Sequence, residues 1–115
     1  MKIVYVAGKF RGETPWEVHR NVVQAEAAAL DVARAGAMPL CPHKNTEHFD
    51  GMLTNEFWLA GTMELLRRCD AVYVFDPGHT ETSSGTRAEV DEARRRGLPV
   101  FLDLDTLSEW VRSGI

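Results

Sequence analysis

Four short apolar runs, at 2–7, 37–41, 71–75 and 98–102, alternate along this chain with segments of helical periodicity. Parallel strands cannot be joined by a tight hairpin and need a crossover, which a helix supplies. The run Ala71-Val72-Tyr73-Val74-Phe75 has no polar alternation and is rich in β-branched and aromatic residues. That is the composition of a strand covered on both faces. The alternation therefore predicts βαβ units and a sheet with helices on either side.

The helical segments carry their own signals. Thr14, Pro15, Trp16 and Glu17 form a capping box with proline at the first helical position. Val18, Val22, Ala25, Ala29 and Val32 follow at helical spacing, and Gly36 is a C-terminal stop. A second helix is expected over 55–68, with Phe57, Leu59, Met63, Leu65 and Leu66 available for burial. A third ends near Gly97, after Arg94, Arg95 and Arg96, and Asp105 is the expected cap of a last helix carrying Leu107, Trp110 and Val111. Between the second strand and second helix lies a long polar loop with Pro42, His43, His48, Asp50 and Gly51. The predicted fold is α/β, a flavodoxin- or Rossmann-like three-layer sandwich. Its four- to five-stranded parallel sheet has the order 2-1-3-4.

In that order the first and third strands are neighbours whose connections leave in opposite directions. Their carboxyl ends open a crevice at the topological switch point. The glycine-bounded turn Gly8-Lys9-Phe10-Arg11-Gly12 borders it from one side, and Ser83-Ser84-Gly85-Thr86-Arg87-Ala88-Glu89 from the other. The second segment reads either as an ordinary capped helix start or as a seat for phosphate or sugar oxygens at the positive end of a helix dipole. Tyr5 is a core aromatic or a group at the end of the first strand. Lys9 and Arg11 are solvated cations or ligand-facing ones, and Arg11 has the fork that holds a phosphate bidentately. His43 is a donor to a ligand oxygen or a loop histidine without special role. Phe57 and Trp58 stack on a base or are buried in the core or a subunit interface.

At 115 residues and 44% hydrophobic content, one domain spanning 1–115 with one core is expected. The net charge of −4 offers no broad basic surface, so nucleic acid is not an expected partner. No run approaches the ~18 apolar residues of a membrane span, and no secretory leader is evident, so a cytoplasmic location is expected. Cys41 and Cys69 lack the spacing of a disulfide framework or a zinc site, and neither metal nor cofactor is expected.

The segments 5–12, the His43 loop, 61–71 and 83–89 together resemble the nucleoside 2-deoxyribosyltransferase superfamily. The likeness is to its small bacterial and phage deoxyribosyltransferase-like domains, a branch that includes the 2-deoxynucleoside 5'-monophosphate N-glycosidases. It implies a nucleotide or nucleoside substrate and a homodimer or higher homo-oligomer. Under it Glu89 matches a nucleophilic glutamate, and Tyr5 a tyrosine beside that carboxylate. Ser83, with Ser84 and Gly85, matches the sugar-binding segment. Gly8, Lys9, Arg11 and Gly12 match a 5'-phosphate loop, and His43 a histidine beside it. A glutamate near a helix N-terminus is also expected to stay ionised. One departure stands out: Thr62 occupies the position of the family's proton-donating aspartate. Threonine is a poor general acid. The resemblance thus implies cleavage or transfer at an N-glycosidic bond, with a non-catalytic nucleotide-binding domain of the same fold as the alternative.

Overall fold

A computed structural model describes residues 1–79 and 84–114. In chain order the elements are β1 (Ile3–Ala7), α1 (Pro15–Arg34), β2 (Met38–Leu40), α2 (Pro42–Asn45), α3 (Asn55–Arg67), β3 (Ala71–Val74), a 3-10 turn (Pro77–His79), α4 (Ser84–Arg95), β4 (Val100–Phe101) and α5 (Leu104–Ser113). All strand pairs are parallel, and the four strands take the order β2-β1-β3-β4. Tyr5 sits level with Leu40 on one side and Val72 on the other.

The two-residue period of β1 and β3 divides the core between the two faces of the sheet. Val4, Val6, Ala71 and Tyr73 pack with Ala28 and Val32 of α1 and Leu107 of α5. Tyr5, Ala7, Val72 and Val74 pack with Leu66 of α3 and Val90 and Ala93 of α4. Tyr5 is thereby aimed at the α3–α4 layer, and that direction decides its chemistry.

Local signals set the helix ends. The Thr14 side chain accepts the Glu17 N–H at 3.1 Å, while the Glu17 carboxylate accepts the Glu13 N–H at 2.8 Å, a reciprocal cap around Pro15. Gly36 follows α1 at φ 102° and Gly97 follows α4 at φ 74°, left-handed conformations that favour glycine.

Three expectations change. The polar loop after β2 contains a short helix, α2, begun by Pro42. The last helix starts earlier than expected: Asp103 is its cap, accepting the Thr106 N–H at 2.8 Å, and Asp105 falls in the first turn. Phe57 and Leu59 are each 54% exposed: α3 buries only Leu66 fully, and Leu59 lies on the wall of a cavity. Among the described residues no helix is long and apolar enough to cross a membrane.

Candidate functional site

Strand β1 ends beside α4. The Tyr5 ring is fully buried, and its hydroxyl donates to the Glu89 carboxylate. Burial and the neighbouring carboxylate push the Tyr5 phenol well above its ordinary range, so it stays protonated and remains a donor. Glu89 lies on the second turn of α4. Its carboxyl is pushed up to about 7, first by desolvation, with the Asp76 carboxylate adding to the rise and the Tyr5 hydrogen bond opposing it. The expectation that a helix N-terminus keeps Glu89 ionised is therefore corrected. The dipole acts mainly over the first turn, and desolvation outweighs it here.

The turn after β1 is fastened from several sides. The Lys9 N–H donates to Asp76 Oδ2 at 3.0 Å, and the Lys9 carbonyl lies 3.1 Å from His43 Nε2. A carbonyl only accepts, so Nε2 carries the proton in this contact. Burial holds the His43 imidazole below its ordinary range, which favours the neutral ring. The ring stands edge-on to Phe10 and Phe75, with centroids 5.4 Å and 6.0 Å away. Its Nδ1 is buried without a hydrogen-bond partner among the described residues. His43 thus ties down the turn with its Nε2 proton, a role distinct from both of its sequence expectations, a donor to a ligand oxygen and a loop histidine without special role. Gly8 is required by close approach: a Cβ there would lie 2.2 Å from Phe75 ring carbons.

A cavity of about 360 Å³ opens between this turn, α2, the first half of α3 and the start of α4. Tyr5, Gly8, Lys9, Arg11, His43, Ser84, Gly85 and Glu89 all line it, so one space brings together most of the candidate residues. Gly12 stands outside the wall, packed on α1, where a Cβ would lie 2.5 Å from Glu17 Cβ. Ser83 lies outside the described residues.

The opposite wall is Trp58, Leu59, Thr62 and Met63 of α3, together with Phe10. Trp58 is braced by Phe57 and Phe49, at centroid distances of 5.1 Å and 6.0 Å. The Thr62 hydroxyl donates to the Leu59 carbonyl at 2.9 Å. Thr46, Asp50 and Asn55 complete the rim, and no carboxylate occupies the Thr62 position. Thr86 is 1% exposed and also reaches the wall.

Sequence reasoning missed Asn21. It is 5% exposed on α1, and its side-chain amide donates to the carbonyls of Phe10 at 3.0 Å and Arg11 at 3.2 Å. Its signal was present in the sequence. A polar residue three after Val18 and four before Ala25 falls on the buried stripe of α1, where an amide needs partners.

The fold is similar to that of a solved 2-deoxyribosyltransferase from the psychrotolerant bacterium Bacillus psychrosaccharolyticus, described as a biocatalyst for nucleoside synthesis. The TM-score is 0.57 at 20% identity, over 85% of this chain and 69% of that one. At such identity the likeness is one of fold. No curated protein matches the sequence. Residues 2–103 match the model of a domain family of unknown function, DUF7768, and the chain belongs to that family.

Proposed function

We propose that this chain cleaves the N-glycosidic bond of a nucleoside or nucleoside 5'-monophosphate, with Glu89 as nucleophile. The observation that carries the reading is the Glu89 carboxyl, held by the Tyr5 hydroxyl, on the wall of a cavity shared with the Gly8–Arg11 turn. The chemistry is consistent. An ionised Glu89 oxygen attacks the anomeric carbon as the carbon–nitrogen bond breaks, and the bond's electron pair departs with the base, which takes up a proton. Water then attacks the same carbon, releasing Glu89 and the sugar; a second base as acceptor would make the reaction a transfer. Lys9 and Arg11 suit a sugar phosphate, and Trp58 with Met63 offers an apolar surface to a base. The similarity to a 2-deoxyribosyltransferase supports this as analogy of fold.

A specific observation favours a second reading. The Thr62 hydroxyl is bonded back to its own helix and supplies no acid for a departing base. A domain that binds a nucleotide without breaking it fits that arrangement. The two separate in one experiment: a panel of nucleosides and their 5'-monophosphates, read by thermal shift and by chromatography of free base. Base release from any member supports the enzyme. Stabilisation of the fold with no release supports the binding domain.

We also propose a homodimer or higher homo-oligomer. Its support is an apolar rim beside the cavity, where Phe49, Met52, Leu53, Phe57 and Leu59 are between 49% and 75% exposed. Trp110 does not belong to that rim. It packs against the α1–α5 core, with the Phe101 ring 5.3 Å away.

A further inference from the structure

The turn after β1 has an asymmetry that its own sequence does not reveal. The carbonyls of Lys9, Phe10 and Arg11 all meet buried side-chain donors, the first from His43 and the other two from Asn21. The N–H groups of Phe10, Arg11 and Gly12 donate to no acceptor among the described residues. Backbone whose carbonyls are bound inward leaves its successive amides as donors without an internal partner, and an anion can supply one. The cations of Lys9 and Arg11 belong to the same turn, and both residues line the cavity.

We infer that Asn21 is the positioning residue that gives the site its preference for a phosphorylated sugar: by holding the Phe10 and Arg11 carbonyls its amide fixes the strip of backbone between them, so that the Arg11 N–H and the Lys9 and Arg11 cations meet a 5'-phosphate. The inference rests on the proposed nucleotide reading of the cavity. Asn21 lies on α1 and is absent from the cavity wall, so its action is through the turn. An amide side chain suits this task because one nitrogen carries two donors and can serve two adjacent carbonyls. Leucine has the same branched shape, with four side-chain heavy atoms, and no donor.

The test is done in the Glu89→Gln protein, which does not consume its ligand under the proposed mechanism. Titration calorimetry compares each 2'-deoxynucleoside 5'-monophosphate with its nucleoside, before and after adding Asn21→Leu. The expected result is a preference for the monophosphate that Asn21→Leu cuts by about tenfold, as for two lost hydrogen bonds. The nucleoside affinity should stay within about twofold. If Asn21→Leu does not fold, Asn21→Ala, which leaves space, carries the same expectation. A preference that survives the substitution overturns the role of Asn21 and leaves the phosphate seat standing. Equal losses for both ligands also overturn it, by making Asn21 a general support of the fold. No monophosphate preference before the substitution overturns the phosphate seat itself, and the role of Asn21 with it.

Discussion

Glu89 is buried deeply enough for its carboxyl to titrate near 7, well above its ordinary value of 4.5. The native state therefore binds more protons than the unfolded chain between those two values. Stability falls as pH rises through that window and stays lower above it. Glu89→Gln keeps the acceptor for Tyr5 and removes the buried charge. It should stabilise the fold by roughly 2–3 kcal/mol at pH 8 and by almost nothing at pH 4, measured by urea denaturation at both. A variant that is no more stable at pH 8 would show that the carboxylate is solvated. Tyr5→Phe bears on the same group from the other side. The Tyr5 hydrogen bond lowers the Glu89 value, so its removal should raise it. In an active enzyme the acid limb of kcat/KM should then move upward by up to about one pH unit. An unmoved limb would assign that limb to another group. None of this was legible in the sequence, where nearness to a helix start suggested an ionised carboxylate; burial, a property of the assembled layers, decided otherwise.

At the scale of elements, the capping box of α1 and the glycine stops after α1 and α4 were readable because each acts within a few residues. The cap of α5 was misplaced by two residues, since Asp103 and Asp105 both carry suitable side chains and only the exit of β4 chooses between them. The exposure of Phe57 had no local signal: its helix buries only Leu66 fully, and Phe57 is not on the cavity wall. Two predictions belong at this scale. Gly8→Ala places a methyl group against the Phe75 ring and should destabilise the fold by about 1–3 kcal/mol, read as a lower urea midpoint. The second concerns the joint between α3 and α4. Glu92, 7% exposed on α4, pairs with Arg67 of α3 at 2.9 Å, and with Arg95 and Arg96 of its own helix. The hydrogen bonds from Arg67 and Arg95 hold its carboxyl down at about 2. A depressed carboxylate stabilises fully above its unfolded value and loses that effect as pH falls. Glu92→Gln should therefore lower Tm at pH 7, with the gap to wild type closing as the pH approaches 2. A gap independent of pH would contradict the ion-pair account.

The whole molecule is a four-stranded parallel sheet with a cavity where β1 and β3 end, beneath connections that depart to opposite layers. This much was legible, because strand order and switch point follow from the alternation of apolar runs and helices. The period of β1 then sends Tyr5 into the layer that carries Glu89. The long-range fastening of the turn by Asn21, His43 and Asp76 was not legible, since hydrogen bonds between distant elements leave no periodicity. Assembly is a further property of this scale. Light scattering should give at least twice the chain mass, and Met52→Glu with Phe57→Glu should return it to the monomer. A monomeric wild-type protein would remove the proposed oligomer. Whether Glu89 breaks a glycosidic bond is decided by mass spectrometry of free base released from nucleosides and their 5'-monophosphates, by wild type and by Glu89→Gln. Release by wild type is expected, with a loss of about 10³-fold or more in the variant and ligand binding retained. Turnover by Glu89→Gln equal to wild type would contradict it.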